Sequence, residues 1–298
     1  MNLQHTARSG RTRASAAERV IGAAAGLCLL ALLGEASGHA HAQPADAAQY
    51  EKPAANDAFQ KDVTNLNTSL GGSLNTGNTE ALLLNVGTTF AMVRGHHGLG
   101  LSMDFAYGRA NLPTDDVNGP VDTARNLRSR GRYDLFLSPM DALFLAGVYR
   151  WDTFAGLDAR LSGQVGYLRN LFKEDSHRLW GELGYDLTYD NFDPDPLRDP
   201  ANPSVRLKGH AYTHSARLFL GYDNQLNSAV TFLMGAEGLL NVERPKDVRF
   251  NLDVALRSAI VGRLQLEIKF SMQLDTEPVP LKGKLDAQTK ANLIYTLI

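Results

Sequence analysis

The stretch LQLEIKFSMQL, residues 264–274, alternates strictly between apolar and polar side chains. Leu, Ile, Phe and Met occupy the even-numbered positions, and Gln, Glu, Lys and Ser occupy the odd-numbered ones. We call such alternating sets of positions in a strand the apolar parity and the polar parity. Because successive side chains of a strand point to opposite faces, this pattern predicts a β-strand with one apolar and one polar face.

The same period of two recurs from Asn65 to the end of the chain, in segments of about 10–15 residues. Soluble strands have a mode of about 5–6 residues, whereas a tilted membrane strand needs about 9–11. The pattern therefore predicts an all-β fold, a transmembrane antiparallel up-and-down β-barrel of about 12 strands. The predicted strands are 65–75, 80–94, 99–110, 123–136, 142–151, 158–169, 178–189, 210–223, 229–242, 248–259, 264–274 and 284–298.

Composition excludes several other classes of protein. The 298 residues are 44% hydrophobic and 21% charged, with a formal net charge of −2. Near-neutral charge argues against a nucleic-acid binder, which needs a basic surplus. A mean hydropathy of −0.23 excludes a polytopic helical membrane protein. One cysteine excludes a disulfide framework and a cysteine-rich metal site.

The first forty residues have the pattern of a secretory signal peptide. Four arginines precede or open the apolar run 20–33, and the A-x-A site Ala40-His41-Ala42 follows it. The expected organisation is a signal peptide (1–42), a flexible periplasmic lead-in (43–62) and an outer-membrane barrel (63–298). Cleavage near Ala42 leaves a net charge of −4 and no cysteine. The cleaved barrel is then expected in the outer membrane of a Gram-negative bacterium.

The connections between predicted strands alternate in length. The long ones, 111–122 and the acidic, proline-rich 191–209, follow odd-numbered strands, and the connections after even-numbered strands are short. Bacterial barrels have short periplasmic turns and longer extracellular loops. This alternation of long and short connections predicts a barrel with both ends of the chain on the periplasmic side.

Aromatic residues cluster at the ends of the predicted strands, mostly on the apolar parity, as two interfacial girdles require. The outer girdle is expected to contain Tyr107, Tyr149, Trp151, Tyr189 and Tyr212. The inner girdle is expected to contain Phe90, Tyr133, Tyr167, Tyr222 and Tyr295. Trp180 is an exception, because it falls on the polar parity.

The polar parity is the expected lumen. Twelve strands fall between a side-chain-filled eight-stranded barrel and an open channel of about sixteen, which predicts a narrow or largely filled lumen. The expected function is a role in envelope integrity or stress response, or passage of small solutes through a narrow polar lumen, so a conducting pore and a purely structural barrel both remain open. The expected lumen-lining residues are Arg128, Arg130, Arg132, Asp134, Arg150, Asp158, Arg160, Glu182, Asp186, Arg217, Arg249, Asp253, Glu267 and Lys269.

Several stretches resemble the YdiY-like salt-induced outer-membrane protein family, a family of unknown function. They are GGSLNTGNT (71–79), RYDLFLS (132–138), YRWDTFAGLDAR (149–160), Gly166-Tyr167 and Gly184-Tyr185. The resemblance covers about 65–298. It implies an outer-membrane barrel and supplies no catalytic residues.

An enzyme is not expected. His214 and Ser215 are neighbours on a predicted strand, so they point to opposite faces and cannot form a dyad. His210 and His214 share a face without a nearby carboxylate, and neither a metal site nor a cofactor is predicted. The alternatives are an outer-membrane lipid hydrolase and a soluble periplasmic β-sandwich binding protein.

The expected partners follow from the location in the outer membrane. They are outer-membrane lipid and lipopolysaccharide, with the barrel-assembly machinery and periplasmic chaperones during biogenesis. No nucleic acid is expected, and the barrel is expected to be a monomer.

Overall fold

The computed structural model describes residues 62–75, 80–111, 121–153, 157–174, 176–192, 198–199, 202–206, 209–278 and 283–298. The expected signal peptide (1–42) lies outside these residues, as does the expected lead-in (43–62) except for Asp62. None of the described residues forms a helix that is long and apolar enough to cross a membrane.

Within this part of the chain, twelve antiparallel strands close into one barrel and two short strands pair separately, so the predicted fold class is confirmed. Each barrel strand pairs with its sequence neighbours, except that β7 pairs with β10 and β1 with β14. The strands are β1 (Val63–Asn75), β2 (Glu80–Arg94), β3 (His97–Asn111), β4 (Val121–Phe136), β5 (Asp141–Asp152), β6 (Leu157–Lys173), β7 (His177–Phe192), β8 (Arg198–Asp199), β9 (Asn202–Arg206), β10 (His210–Gln225), β11 (Val230–Asn241), β12 (Val248–Val261), β13 (Leu264–Asp275) and β14 (Leu285–Thr296).

The two ends of the barrel differ. We call the end at which β1 begins and β14 ends the turn rim, and the opposite end the loop rim. Short connections lie at the turn rim, and two of them contain glycines with positive φ, Gly95 (53°) and Gly262 (55°), a conformation that residues with a Cβ rarely adopt. The connections at the turn rim are 95–96, 137–140, 174–176, 226–229 and 262–263.

The connection 193–209 at the loop rim holds a small hairpin. Within it β8 and β9 pair as a two-stranded antiparallel sheet. The prolines of this connection are compatible with the pairing, because proline is accepted in edge strands and turns.

The barrel is closed by the pairing of β1 with β14. Residues 67–71 of β1 oppose residues 292–296 of β14 in register. Two further backbone hydrogen bonds extend this seam, from Leu66 N–H to the Ile298 carbonyl (3.2 Å) and from Leu297 N–H to the Leu66 carbonyl (2.8 Å). This pairing joins the first and last strands of the barrel, and closure of this kind is what a spanning sheet requires.

Burial is inverted relative to a soluble protein. Charged side chains such as Arg132 and Glu182 are buried inside, whereas leucines in the middle of strands are exposed outside. Leu183 is 64% exposed, Leu145 60% and Leu218 59%. A contiguous apolar exterior of this kind marks a surface that faces lipid.

Candidate functional site

The lumen is the candidate functional site, because the polar parity of every long strand converges there. Most of the charged residues predicted to line it lie on inward faces, where they are buried or line the cavity, except that Arg160 is half-buried. These are Arg128, Arg130, Arg132, Asp134, Arg150, Arg160, Glu182, Asp186, Arg217, Arg249, Asp253, Glu267 and Lys269.

Asp158 does not lie with them and is exposed. The register shifts there: Leu157 opposes Phe192 and Ala159 opposes Asn191, which leaves Asp158 as a bulge residue. Leu157 takes the inward position instead and is buried. The prediction was therefore wrong at this position, because a bulge inserts an extra residue and breaks the period of two.

A chain of ion pairs fills one side of the lumen. Arg132 Nε donates to both carboxylate oxygens of Asp134 (3.0 Å), and its Nη1 donates to Glu182 Oε1 (2.8 Å). Arg217 Nη1 donates to Glu182 Oε2 (2.7 Å), and Arg217 Nε donates to Glu237 Oε1 (2.5 Å). We call these five residues the ionic network. It connects β4, β7, β10 and β11 across the interior.

Local pairs extend this charge matching toward the loop rim. Arg150 Nη2 donates to Asp152 Oδ2 (2.8 Å), two residues along the same inward face of β5. Arg160 donates to both oxygens of Asp190 on the neighbouring strand, at 2.5 and 2.8 Å. Buried charges are stable when each has a hydrogen-bonded partner.

A compact apolar cluster lies beside the ionic network, nearer the turn rim. Trp180 is its largest member, and its ring lies 6.1 Å from that of Phe219, centroid to centroid. The guanidinium of Arg132 lies 4.4 Å from the centroid of the Phe144 ring, so the cluster and the network are in contact. We call the set the lumen core: Val93, Phe136, Ala142, Phe144, Leu168, Trp180 and Phe219.

Sequence reasoning missed most of the lumen core. Its members lie on the otherwise polar parity, where Trp180 is the single exception that the prediction names. The signal was present: Phe136 and Phe144 interrupt the polar faces of β4 and β5 near the turn rim, and Phe219 interrupts that of β10 closer to the middle of the strand. Large apolar residues on an inward face indicate a filled interior.

The other side of the lumen contains a cavity of about 680 Å³. Its walls come mainly from β1–β3 and β12–β14, whose inward side chains combine small residues and amides with charged groups such as Asp104, Lys269 and Lys290. The cavity extends from Val63 and Thr296 at the turn rim to the level of Asn85, Asn126 and Lys290. Beyond that level the inward residues Ala110, Arg249 and Gln273 are buried, so the lumen narrows toward the loop rim.

The ten aromatics predicted for the girdles lie on outward faces, near the strand ends at which they were expected. Tyr189 and Tyr212 pack together with ring centroids 4.9 Å apart. Tyr107 donates a hydrogen bond to Asp122 Oδ1 (3.0 Å) near the loop rim. The aromatics of the outer girdle lie toward the loop rim and are Tyr107, Tyr149, Trp151, Tyr189 and Tyr212. Those of the inner girdle lie toward the turn rim and are Phe90, Tyr133, Tyr167, Tyr222 and Tyr295.

The histidines on β10 have aromatic neighbours on the exterior. His214 hydrogen-bonds Tyr185 through Nδ1, and the ring of His210 lies 6.4 Å from that of Tyr189. Ser215 faces the interior and is buried, on the opposite face from His214. In the described part of the chain, no three His, Cys, Asp or Glu side chains lie close enough to hold a metal ion.

Residues 68–297 match the model of the family described as "Protein of unknown function, DUF481". The chain therefore belongs to this family, which confirms the family of unknown function that the sequence resembles. No curated protein matches the chain in sequence.

Several solved outer-membrane barrels are similar in structure at low sequence identity. The NanC porin is 10% identical, with 78% of this chain and 100% of that chain covered and a TM-score of 0.45. An outer membrane channel from Pseudomonas putida F1 is 12% identical, with 78% and 94% covered and a TM-score of 0.44. The translocator domain of the autotransporter NalP from Neisseria meningitidis is 11% identical, with 82% and 91% covered and a TM-score of 0.41.

Proposed function

We propose that this member of the DUF481 family spans the outer membrane of a Gram-negative bacterium as a monomeric barrel and passes small polar solutes along one side of its lumen. The supporting observation is the polar cavity of about 680 Å³. It lies on one side of the lumen, whereas the ionic network and the lumen core fill the other side. In this proposal the turn rim faces the periplasm, and lipopolysaccharide surrounds the loop rim.

The exterior supports the membrane part of the proposal. Outward positions in the middle of the strands carry leucine, valine and other apolar side chains, and the girdle aromatics lie toward both rims. Barrels that cross membranes have this outward apolar band between two aromatic belts. The barrel strands are also long enough, since Asp141–Asp152 and Val230–Asn241 are among the shorter ones and about 9–11 residues suffice for a tilted strand.

Leu183→Arg is expected to lower the free energy of unfolding in lipid vesicles by about 2–4 kcal/mol. Leu183 lies near the middle of β7 on the outward face, where lipid would surround an arginine. Urea titration of the refolded barrel measures the change. Leu226→Arg is the control: Leu226 lies in a connection at the turn rim and is exposed, so its change is expected to be within about 1 kcal/mol. Equal, small effects of both substitutions would show that water, and not lipid, covers the barrel.

The shape of the lumen supports passage of small solutes. The cavity walls present Asn67, Asn85, Asn126 and Asn292 together with small residues such as Ser69. These groups can exchange hydrogen bonds with a hydrated solute without binding it tightly, which conduction requires. The constriction toward the loop rim restricts passage to small molecules.

Conductance across a planar bilayer tests the passage. The purified barrel is expected to give small, discrete steps, and Ser69→Trp is expected to reduce them, because Ser69 lines the cavity. Leu161→Trp is the matched control on the outward face and is expected to leave the steps unchanged. Flat traces over many insertions of a folded barrel would refute the passage and leave a structural role in envelope integrity.

A further inference from the structure

Two lysines stand directly opposite each other on the cavity wall. Lys269 of β13 and Lys290 of β14 are paired in register, and both line the cavity. Like charges directly opposite on neighbouring strands destabilise a sheet. The arrangement therefore costs stability in the empty barrel, and an anion between the two ammonium groups would offset that cost.

Lys269 already has a carboxylate partner. Its Nζ lies 3.2 Å from Asp253 Oδ2, and Ser271 donates a hydrogen bond to the other oxygen of Asp253 at 2.6 Å. The Asp253 carboxylate is thus shared between two groups on β13. Its charge acts on Lys290 at longer range, as does that of Asp104.

Lys290 has no such partner. Among the described residues, no carboxylate lies within the 4.0 Å that defines an ion pair with its ammonium group. Its neighbour two residues along the same face, Asn292, donates to Glu267 Oε1 (3.3 Å). Glu267 is itself paired with Arg257 at 2.6 Å.

The remaining cavity charges are matched. Arg132 is held by Asp134 and Glu182 in the ionic network. Arg128 stands opposite Asp104 in the β3–β4 register. Among the described charges of the cavity wall, the Lys290 ammonium therefore has carboxylates at longer range only, and it is half-buried in an interior where charge attraction is stronger than in water.

We propose that the cavity binds small anions, carboxylates or phosphate, at Lys290 with the help of Lys269. An ammonium group gives charge-assisted hydrogen bonds to such oxygens. Neutral donors are available on the same walls, including the side-chain amide of Asn67 and the hydroxyl of Ser69. The cavity volume of about 680 Å³ lies within the range of ligand pockets, about 300–1,000 Å³. This proposal rests on the proposed passage for solute access and names the class of solute.

Lysine NMR tests the site without conduction. Reductive ¹³C-dimethylation keeps the lysine charge and gives each lysine a separate signal. Titration of the refolded full-length barrel with sodium phosphate, and separately with sodium acetate, is expected to shift the Lys269 and Lys290 signals saturably. The signals of Lys246 and Lys284, which are exposed outside the lumen, are expected to stay in place. Linear, non-saturating shifts of all lysines alike would overturn the site.

Lys290→Gln separates a binding lysine from a structural one. We expect the variant to weaken phosphate binding at Lys269 by about tenfold or more, as loss of a charge-assisted contact does. We also expect it to raise the urea midpoint in the absence of phosphate, because it removes the opposed charge. Lys284→Gln is the matched control and should change neither quantity. A lowered midpoint, or unchanged phosphate binding, would overturn the proposal.

The outcomes also distinguish this proposal from the proposed passage. A barrel that gives no conductance but shows saturable shifts keeps the anion site and loses the passage. A barrel that conducts without saturable shifts keeps the passage and loses the anion site.

Discussion

Glu182→Gln is expected to lower the free energy of unfolding by about 3–5 kcal/mol, because it breaks a buried ion pair by removing one partner. Glu182 is 1% exposed, and each of its oxygens accepts a hydrogen bond from a different arginine, Arg132 and Arg217. The glutamine amide would leave two buried guanidinium groups with less compensating charge. Urea titration of the refolded barrel measures the change. At each urea concentration, the loss of the fast-migrating band in unboiled detergent gels reports the unfolded fraction.

Glu277→Gln is the matched control for this substitution. Glu277 lies in the connection after β13 and is exposed, and such surface changes are usually within about 0.5 kcal/mol. If Glu182→Gln were as mild as this control, the ionic network would not stabilise the barrel and the filled side of the lumen would be wrongly described.

Trp180→Ala is expected to cost about 3–5 kcal/mol, the usual range for removing a large buried aromatic side chain. Trp180 is fully buried, contacts Phe219 and lies under the guanidinium of Arg178, 4.2 Å from its ring centroid. Gly221, opposite it in register, makes the space for the indole: a Cβ there would lie 2.1 Å from Trp180 Cζ2. Gly221→Val is therefore expected to destabilise in the same direction, by overpacking.

Fluorescence gives the readout for the lumen core. The chain has two tryptophans, so Trp151→Ala leaves Trp180 as the reporter and is also the control, since Trp151 lies on the outward face. In that variant the emission is expected to be blue-shifted when folded and to move red on unfolding. If Trp180→Ala had no larger effect on the urea midpoint than Trp151→Ala, the lumen core would not be a packed core.

The sequence was sufficient to predict where most strands lie, because strand periodicity is local. The predicted strand 80–94 has the bounds of β2, and 264–274 differs from β13 by one residue. The bulge at Asp158 and the hairpin in 193–209 were not predictable in this way. Both depend on which backbone lies opposite, and that is decided by pairing across the sheet.

The alternation of apolar and polar residues identified the inward face of most strands, but it did not show which side chains contact each other there. Arg132 and Glu182 are 50 residues apart in sequence, and Arg217 and Glu182 are 35 apart. Their contact across the interior follows from closure of the barrel and from the lengths of the side chains. For the same reason the sequence could not show that one side of the lumen is filled while the other holds a cavity, or that Lys290 has no ion-pair partner among the residues that the structure describes.

We propose a membrane barrel whose interior is accessible to water on one side. Single-cysteine labelling in a Cys28→Ser background tests it most directly, with the barrel in lipid vesicles. A charged, water-soluble thiol reagent is expected to modify Ser69→Cys in the cavity and to spare both Ser215→Cys on the filled side and Leu183→Cys on the exterior. A lipid-soluble maleimide is expected to modify Leu183→Cys. Modification of Leu183→Cys by the charged reagent as fast as Ser69→Cys would contradict the account.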